Sequence, residues 1–300
     1  MFLDCDNGGA RTGMINKAQG IVYSMLSAAI YGFTPILARM AFDGGANGIT
    51  VMFLRGVLPL PLLFIILKSR KIPLHPGRNW KSLAVTGVFG VGLTVLLLYM
   101  SYSYISVGMA TTLHFTYPVL VSLSSRMIFK DKIGGWKIAA LILCTLGIVM
   151  FIDGGDTIYA TGVVMSLLSG VTYTLVMLGI GKSGLRTFDS MKLTFWFNVC
   201  MAITSGLFGL ATGRLGLSLA PMAWFLCTVV ALLTTLCALP LLQRGIQLVG
   251  ESTAAILSTL EPITGVVLGI LVLGETISFP KIVGCSLVIM SVLLIALAKS

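Results

Sequence analysis

Residues 18–31, AQGIVYSMLSAAIY, return 142 residues later as residues 160–173, ATGVVMSLLSGVTY. Seven of the fourteen positions are identical: Ala18/Ala160, Gly20/Gly162, Val22/Val164, Ser24/Ser166, Leu26/Leu168, Ser27/Ser169 and Tyr31/Tyr173. A second match sets Pro118 on Pro262. It pairs Ala110 with Ala254, Leu113 with Leu257, Ile133 with Ile277, Lys137 with Lys281, Ile138 with Ile282 and Leu143 with Leu287, and the acids Asp131 and Glu275 coincide. The chain therefore reads as two copies of one unit. If each copy crosses a bilayer five times, the odd number turns the second copy upside down. Inverted repeats around a central site are a build of secondary transporters.

Composition requires the bilayer. Hydrophobic residues make up 57% of the chain and charged residues 10%, and the mean hydropathy is +1.01. A water-soluble domain of this size keeps far more polar surface. Ten apolar stretches are expected to span: 18–38, 49–67, 82–104, 107–129, 133–152, 160–181, 190–210, 222–242, 252–273 and 280–298. Most meet the requirement of roughly 20 residues for a hydrocarbon core of about 30 Å. They must be helical, because an open sheet would leave backbone groups unpaired in lipid. The expected fold is an all-α polytopic membrane protein, ten transmembrane helices in two inverted five-helix repeats. The expected divisions are a cytoplasmic N-terminal tail over 1–17, a first repeat over 18–152 and a second over 160–298. Residues 1–13 are polar and glycine-rich and are expected to be disordered, with Met14 as an alternative start. The first stretch is too long for a signal-peptide core and no A-x-A pattern follows it, so it is kept as the first helix.

The net charge of +10 is distributed as a topology signal. With ten spans, the termini and the loops on their side carry sixteen of the twenty basic residues, against Arg39, Arg214 and Lys281 on the other side and Arg55 within a span. That asymmetry places both termini in the cytoplasm, in a cell inner membrane. It also removes the reason to expect nucleic acid; anionic lipid is the natural partner of such loops. Cys144, Cys200, Cys227, Cys237 and Cys285 lie within spans and Cys5 on the tail, none with C-x-x-C spacing, so they are read as small packing residues.

Chemistry-bearing motifs are few. Gly181-Lys182-Ser183 resembles the end of a phosphate loop, but Val176 stands where the first glycine belongs. His75 and His114 have no second ligand at metal spacing. No G-x-S-x-G elbow occurs, and no aspartate lies deep in a span. No enzyme activity, metal or other cofactor is expected, and ATP is excluded as an energy source within the chain.

Deep polar residues carry more information. Glu261 falls about ten residues into the ninth stretch, roughly 15 Å from its start. An unpaired charge there costs at least about 2.5–3.5 kcal/mol on insertion scales, so Glu261 needs a partner, a wet cavity or a proton. Two readings stand: a proton-coupling or substrate-amine site, or a buried acid bonded to neighbours such as Ser258 that holds helices together. Arg55 reads first as a snorkelling or structurally paired cation. Pro118 and Pro262 sit mid-span at matching places, where each kinks or breaks its helix beside a cavity. Tyr31 and Tyr173 are a second symmetric pair. By the repeat they flank the midplane, Tyr31 outward and Tyr173 inward, either closing alternately over a solute or simply packing in a bundle core. Tyr99, Tyr102 and Tyr104 suit an interfacial belt.

Taken in order, these residues resemble the EamA family of the drug/metabolite transporter superfamily. The likeness covers residues 17–298. It rests on Tyr31-Gly32, Phe53-Leu54-Arg55, Tyr104-Ile105-Ser106-Val107-Gly108-Met109-Ala110, Leu260-Glu261-Pro262 and Leu273-Gly274-Glu275-Thr276-Ile277. The resemblance implies a ten-helix carrier, in many members an exporter of amino acids or small metabolites, with its cavity lined mainly by helices 1, 3, 4, 6, 8 and 9. Two departures matter. Tyr117-Pro118 replaces a Glu-Pro frequent in the family, and Lys130-Asp131 replaces a Gly-Glu. Any proton coupling therefore rests on Glu261 alone.

The expected function is secondary transport of a small amphipathic solute, such as an amino acid with an apolar side chain, by alternating access. The expected cavity holds Ser27, Tyr31, Thr111, His114, Tyr117, Thr172, Tyr173 and Ser258, with Glu261 as the coupling residue and Pro118 and Pro262 as helix breaks. The rival is a lipid-handling or regulatory membrane protein without solute turnover. Nothing in the sequence sets an oligomeric state.

Overall fold

A computed structural model describes residues 5–105, 107–131, 133–150, 159–273 and 278–297. The motif residues Gly274, Glu275, Thr276 and Ile277, together with Ser106 and most of the loop from Asp153 to Tyr159, lie outside them. The described residues are helical: α1 (Cys5–Asp43), α2 (Gly48–Ser69) and α3 (Gly77–Ser101), α4a (Val107–His114) and α4b (Tyr117–Phe129), and α5 (Gly135–Val149). The second half repeats the series with α6 (Ala160–Lys182), α7 (Ser190–Ala211), α8 (Pro221–Val249), α9a (Glu251–Leu257), α9b (Leu260–Leu273) and α10 (Phe279–Leu297). Six of these, α1, α2, α3, α6, α7 and α8, are each long and apolar enough to cross a membrane. The shorter α5 and α10 and the divided α4 and α9 fill the other expected places. α1 begins at Cys5, inside the tail expected to be disordered. Extending an existing helix backwards costs far less than nucleating one, so Gly8 and Gly9 do not stop it.

The two halves carry the same local devices. Asn47 caps α2, its side chain accepting from Thr50 N at 2.9 Å; Asp189 caps α7, accepting from Met191 N at 2.9 Å and Lys192 N at 3.2 Å. Such caps satisfy N–H groups that the first helical turn leaves unpaired. α3 widens to a π-helix over Val85–Gly92 and α8 over Leu233–Ala238. The fourth helix of each half is broken, at Phe115-Thr116 and at Ser258-Thr259. At each break the backbone tightens, Thr116 N to Leu113 O at 3.3 Å and Thr259 N to Ile256 O at 3.1 Å.

Packing makes the inversion visible. α1 packs on α8 and α9b as α6 packs on α3 and α4, while α2, α4b and α5 lie against α7, α9a and α10. In those last three pairs each helix meets its own counterpart. Along α2 the contacts run Ile49 on Gly209, Phe53 on Gly206 and Gly56 on Ala202, so the numbering falls on one side as it rises on the other. α5 and α10 do the same, with Ser291 donating to Ala140 O at 2.8 Å and Gly147 set against Gly284 and Val288. A helix antiparallel to its own counterpart requires a two-fold axis perpendicular to the helices. That is an inverted repeat. Glycines at these crossings let backbones approach where no hydrophobic force between helices exists in lipid.

The outer surface is apolar: Leu207, Leu210, Phe225, Met127 and Leu271 are among many large side chains left exposed. In water such a surface would aggregate; against acyl chains it is the solvated state. The interior holds the polar groups, with Ser24, Ser166, Thr194, Asn198 and Gln243 essentially sealed.

Candidate transport cavity

The two breaks and the two π stretches converge on one central cavity of about 770 Å³, counting its mouth. Its lining comes from both halves. Tyr31 (α1), Arg55 (α2), Thr94 (α3) and His114 (α4a) face Tyr173 (α6), Asn198 (α7), Thr234 and Thr235 (α8) and Glu261 (α9b). Val91, Val95, Leu98, Val176, Phe197, Met201 and Leu239 supply an apolar wall.

The broken helices explain how charge reaches this depth. Pro118 is the second residue of α4b and Pro262 the third of α9b. In a first turn the missing N–H would have had no helical partner, so the proline is accommodated there. Each proline thus starts a new helix instead of bending an old one. Gly32 lets α1 close onto the second break: a Cβ on it would run into the Glu261 carbonyl and Thr264. The Tyr31-Gly32 dipeptide therefore joins a cavity residue to the glycine that brings α1 against Glu261.

Arg55 is not a snorkelling cation. It ends the first half of α2, just before the turn at Leu58-Pro59, and its guanidinium lies 5.6 Å from the centre of the Tyr31 ring. Arg55 and Glu261 both face the cavity, and among the described residues neither closes an ion pair within 4.0 Å. The cavity thus presents one cationic and one anionic group, each open to a ligand.

Behind the lining is an aromatic cluster. Tyr117 and Tyr173 meet edge-on at 4.7 Å between centroids, and His114 sits 5.3 Å from Tyr117 and 5.2 Å from Tyr173. Edge contacts of this kind favour fixed ring orientations. Ser169 donates to Ser166 O at 2.6 Å, so its oxygen accepts from His114 Nδ1 at 2.9 Å. That leaves Nε2 as the acceptor of a neutral ring. Thr172 donates to Ser169 O at 3.0 Å and so accepts from Thr94 at 2.7 Å. On the facing side Thr235 donates to Asn198 Oδ1 at 3.1 Å, and Asn198 donates to Thr194 O at 2.8 Å.

Of the residues expected in the cavity, Tyr31, His114, Tyr173 and Glu261 line it. Tyr31 and Tyr173 face the same space, not opposite halves. Tyr117, 1% exposed, backs the wall. Thr172 is used up on Thr94. Ser27 is spent on structure, donating to Ala238 O at 2.7 Å where the π stretch of α8 ends. Ser258 donates to Ala254 O at 2.9 Å and closes the last turn of α9a without bonding Glu261. Thr111 sits on α4a beside Tyr102 and away from the lining. The sequence reading missed Asn198, Thr234 and Thr235, which sit at π-shifted or mid-helix positions where helix periodicity alone does not separate core from cavity. Among the described residues no group of three His, Cys, Asp or Glu side chains is placed to hold a metal.

A cavity enclosed between inverted repeats fits what the comparisons find. The EamA-like transporter family matches the chain twice, over residues 18–152 and 160–297. The chain belongs to the EamA-like transporter family. Relatives of this EamA-like transporter include the uncharacterized transporter YcbK of Bacillus subtilis, 24% identical with 89% of each chain covered. The uncharacterized transporter sll1319 of Synechocystis is 25% identical over 93% of this chain and 94% of its own. A crystal structure of a protein with 13% sequence identity superposes with a TM-score of 0.78, covering 92% of this chain and 96% of that one. At that identity the superposition speaks for the fold alone. The family is one of membrane transporters acting on small-molecule solutes.

Proposed function

We propose that this EamA-like protein is a secondary transporter exporting a small amphipathic metabolite, an amino acid with an apolar side chain being the best fit, by alternating access. One observation carries the reading. Arg55 and Glu261 face one enclosed cavity without pairing to each other, above an apolar wall. A carboxylate suits the guanidinium, an ammonium suits the carboxylate, and an apolar side chain suits the wall. A sugar phosphate would call for several deep cations. The outward direction follows the family resemblance, and membership in a transporter family is the ground for reading the protein as no enzyme.

In the same reading the chain makes ten crossings of the inner membrane with both termini in the cytoplasm, and its two halves meet near residues 152–160. Glu261 is the coupling residue, since no other acid lines the cavity. An unbiased metabolite panel tests this. Cells overexpressing the protein are expected to release one class of amphipathic solute faster than cells carrying Glu261→Leu, with equal protein in the membrane. Equal release across the whole panel would refute transport. Reporter fusions after Ile295 and at Tyr159 are expected on opposite sides; same-side signals would remove the ten-crossing topology.

A further inference from the structure

A second polar cluster lies beyond the cavity, at the end of the bundle where α4b and α6 finish and α9a begins. Lys182 pairs with Asp131 at 2.5 Å and reaches Glu251 at 3.5 Å. Ser125 donates to Glu251 Oε1 at 2.5 Å, and Ser122 and Ser252 hydrogen-bond at 2.6 Å. The Lys182 ammonium also stands 5.7 Å from the Phe129 ring centre. Three helices are joined here, and each also brings a side chain to the cavity region: Tyr117 on α4b, Tyr173 on α6, and Glu261 across the break from α9a. Between cavity and cluster lies a dry layer of Val121, Met177, Ile180, Ala254 and Ala255, all 0% exposed. The cavity is thus shut toward this end.

We propose that Asp131, Lys182 and Glu251, with the Ser122–Ser252 contact, form the clasp that closes one end of the transport path and parts in every cycle. This inference rests on the transport reading above; on the sidedness given there, the clasp faces the cytoplasm. Three features suit an opening contact better than a static strut. First, the clasped segments of α4b and α9a are each detached from their own preceding or following half by a break, so they swing with little backbone disruption. Second, Lys182 and Asp131 are 24% and 37% exposed, and half-exposed ion pairs hold weakly enough to be remade. Third, a solvent-filled recess lined by Ser125, Lys137, Lys182 and Arg186 adjoins the cluster, so parted charges regain water at once. Glu251 is the exception at 6% exposed; it stays satisfied through Ser125 after Lys182 leaves. The clasp is not copied by the repeat: at the positions matching Ser122, Ser125, Glu251 and Ser252 stand Val266, Gly269, Val107 and Gly108. The two ends therefore close by different chemistry, and Lys182 acts as a positioning residue for the closed state at one of them.

The test reads access without needing a solute. In a variant whose native cysteines are alanine, Val95→Cys places a thiol in the cavity wall. A membrane-impermeant maleimide is applied from the clasp side in oriented vesicles. Labelling is expected to be slow with the clasp intact and at least about tenfold faster in Lys182→Met/Glu251→Gln, which opens the contact without leaving a buried charge unpaired. Lys182→Arg is expected to restore slow labelling. Monodisperse elution in detergent guards against misfolding. Unchanged labelling in the double variant overturns the clasp. A second arm uses Ser122→Cys/Ser252→Cys in the native chain. Oxidation is expected to stop export of the solute found by the metabolite panel, and reduction to restore it, while each single cysteine exports normally. Export that survives confirmed crosslinking also overturns it. If the wild type exports nothing, the transport reading fails, and the labelling arm still decides the clasp.

Discussion

The fourth and ninth helical units of this protein are built alike and furnished differently. α4 breaks at Phe115-Thr116 and restarts with Tyr117-Pro118; α9 breaks at Ser258-Thr259 and restarts with Leu260-Glu261-Pro262. Each break is approached by a glycine of the first helix of a half, Gly170 against the His114 carbonyl and Gly32 against the Glu261 carbonyl. Around the first break stands a neutral aromatic cluster, His114, Tyr117 and Tyr173. At the second stands a single carboxyl facing Arg55 across the cavity. The backbone device belongs to the fold; the chemistry placed on it is what distinguishes the halves.

The largest test of that distinction compares Glu261→Gln with Tyr117→Phe. If the acidic break couples transport, Glu261→Gln is expected to lower gradient-driven flux tenfold or more, about 1.4 kcal/mol per tenfold step, and to flatten its pH dependence. Tyr117→Phe keeps the ring contacts and is expected to stay within about twofold. Flux at two pH values, normalised to protein in the membrane, measures both. Wild-type pH dependence persisting in Glu261→Gln would remove the coupling role.

The glycine contacts give an intermediate effect. Gly32→Ala is expected to be the more damaging change, since its Cβ meets a backbone carbonyl and the Thr264 Cβ together. Overpacking of this kind costs about 1–3 kcal/mol. Gly170→Ala is expected to cost less, with its nearest contacts at 2.9 Å. Gly265→Ala, whose nearest neighbour is 3.7 Å away, is expected to be neutral or stabilising through helix propensity. Thermal unfolding in one detergent ranks the three, and equal shifts would show that the close approach at Glu261 has no special weight.

The smallest effect concerns the prolines. Both stand in a first turn, so Pro118→Ala and Pro262→Ala are expected to change stability by less than about 1 kcal/mol each, and equally. A large loss at one proline alone would mean that the breaks are not equivalent in energy.

Much of this was readable in the chain itself. The repeat of AQGIVYSMLSAAIY, the paired prolines and the odd number of spans pointed to inverted halves because spacing survives where side chains drift. Tyr31, His114, Tyr173 and Glu261 were legible as polar or aromatic residues in apolar stretches, where each needs a reason. Ser27, Ser258 and Thr172 misled because a small hydroxyl bonds equally well to a solute or to a helix carbonyl, and here carbonyls and a neighbouring threonine take them. Arg55 misled in the opposite sense, since its distance from the span's end suited snorkelling as well as a cavity. Asn198 carried a signal, a carboxamide deep in a span, that was passed over.

The two π stretches have a consequence for how the chain tolerates change in length. A π turn carries about one residue more than an α turn, so each stretch stores a surplus residue. Gly87 and Gly90 lie against Cys200 and Val176, while Thr94, beyond the wide turns, looks into the cavity. Removing one residue from Val85–Gly92 would let the helix close as an ordinary α-helix, and everything after it would rotate by about 100°. The helix would still span, but Thr94 and Leu98 would leave the cavity wall. A helical wheel drawn through α3 or α8 in a single phase therefore assigns the wrong face to half of the helix. A single-codon deletion there would rewrite the cavity while sparing the fold.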